Sequence, residues 1–299
     1  LGEHATHTVE ATGLQVPFKA AAELRHAAPP PRAGDPALSC RPEPVLILNA
    51  IQAGEGPPVV LLHGLFGAAR NFGAIQRAIA PRFRVVALDM RNHGDSPHAA
   101  DMRYPTLADD VRETLASFGI EKAAVIGHSM GGKAAMAMAL GYPDLVGRLL
   151  VSDIAPVRYQ HGNAGIADAM AAIKLTPSLT RTEADAALAA AVPRADIRAF
   201  LLQNLRFGAQ PRWRIGLAEI AAAVADLEGW IDLPGLYPGP CLFVAGANSD
   251  YVLQEHRPII RTQFPSARFV AIKHAGHWVH ADNPAGFLSV LEGFLHNWL

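Results

Sequence analysis

Residues 123–136 read Ala-Ala-Val-Ile-Gly-His-Ser-Met-Gly-Gly-Lys-Ala-Ala-Met, and the fold is decided here. Ala123 to Ile126 is a short apolar run suited to a buried parallel strand, and Lys133-Ala134-Ala135-Met136 is helical in character. Between them Gly127-His128-Ser129-Met130-Gly131 fits the pattern G-x-S-x-G. On a tight strand-to-helix turn the central serine is pushed clear of the sheet, and the flanking glycines are needed because side chains there would collide with neighbouring backbone. The pattern alone recurs by chance in Gly-rich turns. The strand before it and the helix after it make Ser129 a candidate nucleophile. His128 is expected to face away from it and to have no catalytic role.

Outward from this turn, further apolar runs read as strands: Val59 to Leu62, Arg84 to Leu88, Arg148 to Val151, Cys241 to Ala245 and Arg268 to Ile272. Helical segments such as Leu107 to Phe118 and Lys133 to Leu140 lie between most of them. Strand and helix alternate as a parallel α/β sheet with helices on both faces requires. The alternation breaks between about Ile154 and Leu233, where Ala-rich helical stretches, Thr182 to Ala191 and Trp213 to Leu227, run without a buried strand. An insertion at the carboxyl edge of such a sheet, where ligands bind, forms a helical lid over a pocket; the alternative is a helical layer that only packs. The expected division is therefore a core at 45–153 and 234–299 and a helical cap at 154–233. Residues 1–44, with Pro29-Pro30-Pro31 and no sustained period, read as an N-terminal arm. Val16 to Ala28 forms either a short helix packing on the body or a remnant upstream of it, and His4, His7 and His26 are incidental rather than metal ligands.

Composition excludes several classes. Half of the 299 residues are apolar and 18% charged, ordinary for a compact fold and unlike disorder. With 26 basic and 27 acidic residues the formal charge is −1, so no single-sign field exists to capture nucleic acid. Arg181, Arg194, Arg198 and Arg206 read as a solvated surface. Cys40 and Cys241 are too few for a disulfide framework or a zinc cluster. No apolar run reaches 18 residues, and the first residues lack the basic start and apolar stretch of a secretory signal. A soluble, cytoplasmic protein with no integral membrane span is expected.

A serine hydroxyl needs a base within hydrogen-bond reach. In the chain order Ser, acid, His the imidazole comes late, and Gly276-His277-Trp278-Val279-His280 follows the last expected strand. His277 is the choice over His274 and His280: Gly276 lets its loop approach closely, and His280 opens a helix before Asn283-Pro284 and makes a structural hydrogen bond. Charge on the carbonyl oxygen needs preorganised donors. The N–H of Met130, after the nucleophile, and the N–H of Leu65, in the turn His63-Gly64-Leu65-Phe66-Gly67, are the two candidates. His63 braces that turn, while Phe66 is either a lid contact touching substrate or a plain core residue. Asp89, Arg91 and Asp95 hold loops in place.

Together, His63-Gly64-Leu65-Phe66-Gly67, Leu88-Asp89-Met90-Arg91-Asn92-His93-Gly94-Asp95-Ser96, Gly127-His128-Ser129-Met130-Gly131-Gly132-Lys133 and Gly276-His277-Trp278-Val279-His280 resemble the lid-bearing α/β-hydrolases. The resemblance is strongest to the YbfF-type bacterial esterases and their eukaryotic relatives called abhydrolase domain-containing protein 11, and it covers residues 45–299. It implies the α/β-hydrolase fold, action on small or medium acyl esters, in some members thioesters, and no cofactor; the sequence itself offers no metal-ligand spacing, and no metal is expected. It also bears on the acid. Three residues past Gly246, the usual slot, stands Ser249, with Asp250 one residue later. In the resembled esterases the acid follows the preceding strand, in a segment matching Val151-Ser152-Asp153-Ile154-Ala155-Pro156, which implies Asp153; Asp250 stays as the alternative, and a turn-capping role for Asp153 stays open. The expectation is a serine carboxylesterase. A thioesterase or lactonase would use the same residues, and a weakly catalytic ligand-binding protein could be built on the same fold.

Overall fold

The computed structural model describes residues 44–298 apart from His161 and Asp232. The expected arm, with Val16 to Ala28, His4, His7, His26 and Cys40, lies outside the described residues except for Pro44.

In chain order the elements are β1 (Ala50–Ala53), β2 (Pro58–Leu62), α1 (Gly73–Ile79), β3 (Arg84–Leu88), α2 (Tyr104–Ser117), β4 (Ala123–His128), α3 (Met130–Gly141) and β5 (Val146–Ser152). There follow α4 (Asn163–Ala171), α5 (Arg181–Leu188), α6 (Ala195–Leu201), β6 (Leu205–Arg206), β7 (Arg212–Trp213) and α7 (Leu217–Glu228). The chain closes with β8 (Cys241–Gly246), α8 (His256–Gln263), β9 (Ala267–Ile272), α9 (Val279–Asp282) and α10 (Pro284–Leu295).

Among the described residues seven strands form one sheet in the order β1-β3-β2-β4-β5-β8-β9. All neighbours are parallel except β1, which pairs antiparallel with β3. The inner strands are apolar throughout because both faces are covered. Val60, Leu62, Val86, Leu88 and Val125 join the core under α2 and α3, whereas Val59, Leu61, Val85, Ala87, Ala124 and Ile126 join the core under α1 and α10. The order of strands brings the carboxyl ends of β2, β4, β5 and β8 side by side, where Leu65, Ser129, Asp153 and Ser249 emerge.

Several boundaries move for local reasons. α2 starts at Tyr104 because Pro105 is an acceptable first-turn residue. Trp213 belongs not to a helix but to a two-residue hairpin with β6, and α7 starts after Gly216. α5 begins at Arg181, where the Thr180 side chain and Glu183 cap one another reciprocally. None of the described helices is long and apolar enough to cross a membrane.

Candidate active site

Ser129 lies between β4 and α3 at φ 53° and ψ −119°, a backbone region that non-glycine residues occupy only when their surroundings impose it. A Cβ on Gly127 would stand 2.2 Å from the Gly131 carbonyl oxygen, and one on Gly131 would stand 2.3 Å from that of Leu62. Glycine is therefore obligatory on both sides of the turn. The Ser129 N–H donates to the Ser152 carbonyl at 3.0 Å, which ties the turn to β5.

Three groups from different strand ends converge. His277 Nε2 is 3.0 Å from Ser129 Oγ, and His277 Nδ1 is 2.9 Å from Asp153 Oδ2. Asp153 is fully buried after β5 at φ 52°. Its Oδ1 accepts the Gly246 N–H at 2.9 Å, and Oδ2 also accepts the Ser249 hydroxyl. Asp250 is exposed, and its side chain makes no hydrogen bond among the described residues. The slot three residues past Gly246 is thus filled by a donor to Asp153 of the neighbouring strand. Burial drives the Asp153 carboxyl up to about 7, against the Ser249 and Gly246 hydrogen bonds and in the same sense as the nearby Asp250 charge. The close approach expected of Gly276 belongs mainly to Gly246, where a Cβ would meet the Gly276 carbonyl oxygen at 2.2 Å.

The turn after β2 is held by two histidines. His63 Nε2 accepts the Met90 N–H at 2.9 Å, so its Nδ1 carries the proton and donates to Gly64 O at 2.8 Å. His93 Nε2 accepts the Phe66 N–H at 3.1 Å while its Nδ1 donates to Arg91 O at 2.8 Å. Burial lowers both pKa values, that of His93 to about 3, so both rings stay neutral supports. Leu65 lies inside this braced turn and Met130 opens α3; neither N–H has a protein acceptor among the described residues. Asp89 takes the N–H groups of Ala69 and Asp95, Arg91 pairs with buried Asp110 at 2.6 Å, and Asp95 meets Arg214 at 2.7 Å.

A cavity of about 220 Å³ opens at Ser129 and His277. Leu65, Phe66, Tyr104, Ile166, Phe200 and Leu227 supply apolar wall. Phe66, weighed as a lid contact or a core residue, is buried and lines the cavity, and its carbonyl accepts Asn204 Nδ2 of the insertion at 2.7 Å. His128 lines the same cavity and donates through Nε2 to the His277 carbonyl at 2.8 Å. The hydrogen bond expected of His280 is missing at its Nδ1, which is buried without a partner. Ring contacts with Phe72, His128 and Phe287 hold it instead.

A family profile described as alpha/beta hydrolase fold matches residues 57–284. The chain belongs to the α/β-hydrolase family. The mouse sn-1-specific diacylglycerol lipase ABHD11 is 40% identical to this hydrolase over 248 residues, which cover 80% of this chain and 81% of the relative. Esterase YbfF of Escherichia coli strain K12 is 37% identical over 241 residues, covering 80% and 93%. Among solved structures, a marine microorganism esterase superposes with a TM-score of 0.81 at 35% identity, covering 84% of this chain and all of the other. With these relatives the hydrolase is an enzyme of the serine-hydrolase class.

Sequence reasoning missed three residues that shape this hydrolase's site. Ser249 was visible as the occupant of the acid slot, but a serine there gives no sign that it donates to Asp153. Tyr251 stacks on the His277 ring with centroids 3.7 Å apart, a contact that no local pattern encodes. Lys133 is 1% exposed among aromatic rings; the only sequence signal is a lysine on an otherwise apolar helix.

Proposed function

We propose that this hydrolase is a carboxylesterase for small to medium acyl esters, working through an acyl-enzyme on Ser129. The observation that carries the reading is the continuous path from buried Asp153 through both nitrogens of His277 to Ser129 Oγ, at 2.9 and 3.0 Å. His277 Nε2 takes the Ser129 proton as Oγ attacks the ester carbonyl carbon. Asp153 fixes the tautomer that leaves Nε2 unprotonated and stabilises the imidazolium that forms. The N–H groups of Leu65 and Met130 receive the developing oxyanion. His277 then returns the proton to the leaving alkoxide, and water repeats the sequence to free the acid.

Residues 154–233 act as the cap over the acyl pocket. Relatives are named both for an esterase and for a diacylglycerol lipase. The small volume of this cavity favours acyl chains of roughly two to eight carbons over long-chain triglycerides. The test is a panel of p-nitrophenyl esters of rising chain length combined with fluorophosphonate labelling. Labelling of Ser129 with fastest turnover of short esters is expected. A chain that takes no label is a ligand-binding protein on this fold, and one that hydrolyses thioesters or lactones far faster than esters moves the substrate class while keeping the residues.

A further inference from the structure

The insertion contributes Asn163 and Ile166 of α4 and Leu227 and Glu228 at the end of α7 to the cavity wall. What holds these elements at their distance from Ser129 comes from the core. Lys133 stands one helical turn after Ser129 on α3, and its Nζ donates to the carbonyls of Val157 at 2.9 Å, Glu228 at 3.0 Å and Gly229 at 2.5 Å. An ammonium has three protons, so all of them are engaged with the main chain.

These acceptors are the groups that a helix leaves unpaired. The last carbonyls of α7 have no intrahelical partners and form the negative end of its dipole. The Tyr104 hydroxyl caps Leu227, the Tyr159 N–H joins Lys133 on Glu228, and among the described residues Lys133 alone reaches the Gly229 carbonyl. The contacts continue into α4, because Glu228 Oε1 accepts the Asn163 N–H at 3.1 Å and its Nδ2 at 2.9 Å. Val157 lies where the chain leaves β5 for the insertion, and residues 228–229 lie near its return. One cation on the nucleophile's helix therefore holds both roots of the insertion and, through Glu228, the first turn of α4.

We propose that Lys133 is a specificity-determining positioning residue: by pinning the end of α7, and through it α4, to the helix that carries Ser129, it sets the depth of the acyl pocket. The inference rests on the reading of Ser129 as the acyl-accepting nucleophile. Without the ammonium, the Val157 and Gly229 carbonyls lose their donor and the Glu228 carbonyl keeps only that of Tyr159; the wall draws away from α3 toward water and the pocket deepens. The groups facing Lys133 are Tyr104 from α2, Arg158 and Tyr159 from the segment after β5, and Glu228 from α7. Burial, and then the Arg158 charge, lower the Lys133 pKa to about 7 against the pull of Glu228. Above that pH the amine keeps two protons and releases one carbonyl, so the wild-type enzyme itself samples the loosened wall.

The experiment compares kcat/KM on p-nitrophenyl acetate and p-nitrophenyl octanoate for wild type, Lys133→Met and Lys133→Arg, with fluorophosphonate labelling in parallel. The ratio of the two esters cancels the protonation of His277 and Asp153, which both substrates share. In Lys133→Met the octanoate-to-acetate ratio should rise by roughly tenfold, a discrimination that a methylene commands in an apolar pocket, with the change in KM exceeding that in kcat. Lys133→Arg, which keeps the charge and offers donors, should restore part of the wild-type ratio. The wild-type ratio should climb between about pH 6 and about pH 8.5. A folded, labelled Lys133→Met with the wild-type ratio overturns the proposal. Where that variant does not fold, the wild-type series decides, and a flat ratio overturns it. A wild type that takes no label and turns over no ester fails at the nucleophile, and both readings fall with it.

Discussion

Around Ser129, positions are set by main-chain collisions. Gly127, Gly131 and Gly246 each sit where a Cβ would lie within about 2.3 Å of a carbonyl oxygen, and α3 buries every residue from Met130 to Leu140. In the insertion, α5 buries only Ala184 and Leu188, and α6 only Leu201. Besides the apolar residues of α4 and α7 that join the core, its polar ties to the core include Lys133 to three carbonyls, Tyr104 to Leu227, the Gly216 N–H to Asn92, Asn204 to Phe66, and Arg214 to Asp95. Reaction geometry needs tolerances that only dense packing supplies. On the role proposed for Lys133, substrate fit is the part that a single side chain can retune, while the strand ends stay fixed.

The largest effect should come from the dense region. Ser129→Ala removes the proposed acyl acceptor and should lower kcat by about 10⁴–10⁶, because members of such a relay act as a unit. Fluorophosphonate labelling should vanish with the melting temperature little changed. Near-normal turnover would break the comparison at its root.

Asp153→Asn should cost about 10⁴ in kcat, through loss of the charge and of the correct tautomer, while exposed Asp250→Asn should stay within a few-fold of wild type. Stability separates this loss from unfolding. Burial holds the native Asp153 pKa at about 7 against 3.8 for the free carboxyl. Between those values the native state binds more protons than the unfolded chain, so stability falls as pH rises, and the penalty is complete above about 7. Asp153→Asn removes that penalty, and its melting temperature relative to wild type should rise from pH 4 to pH 8. Full activity in Asp153→Asn with an inactive Asp250→Asn would reverse the assignment.

The same division explains what the sequence makes legible. Buried parallel strands are continuous apolar runs, and the G-x-S-x-G turn has one workable backbone, so the sheet, the Ser129 turn and the late histidine can be read directly. Asp153 comes from the resemblance, since neither period nor spacing separates it from Asp250. The short edge strand Ala50–Ala53 is half exposed and lacks the apolar run that marks the inner strands. Trp213 is drawn into a hairpin by pairing with Leu205, a contact between residues eight apart that helical periodicity hides. The hydrogen bond expected of His280 fails because its neighbours are rings. Lys133 and Ser249 act on groups far along the chain, and composition cannot point that far.

A smaller effect sharpens the electrostatics of the dense region. The proposed mechanism needs a neutral His277 and an ionised Asp153, so kcat/KM should rise with pH and level off once the pair has lost its proton, with a midpoint near that of Asp153, about 7. Ser249 donates to the ionised carboxylate and so lowers its pKa. Ser249→Ala should therefore move the midpoint of the rise to higher pH while the plateau stays within about tenfold of wild type. A midpoint that moves down, or a profile that is flat from about pH 5 to about pH 8, counts against the pair.

The smallest effects should lie in the insertion's ties, and they should rank by burial. Asn204 is 1% exposed, and its Nδ2 is 2.7 Å from the Phe66 carbonyl. Asn204→Ala strands that carbonyl and should cost about 1–3 kcal/mol of stability. Because Phe66 sits at φ 60° beside Leu65, the loss should also reach the turn that presents the Leu65 N–H and lower kcat modestly. The Asp95 side chain is 58% exposed where it meets Arg214 at 2.7 Å and Arg206 at 3.8 Å. Water and salt screen such a pair, so Asp95→Asn should cost no more than about 1 kcal/mol, and the difference should shrink as salt is raised from about 0.05 M to about 0.5 M. Thermal unfolding of both variants at the two salt concentrations decides the ranking. If Asp95→Asn destabilises more than Asn204→Ala, the insertion is held from its surface, and the contrast with the buried Ser129 turn is drawn in the wrong place.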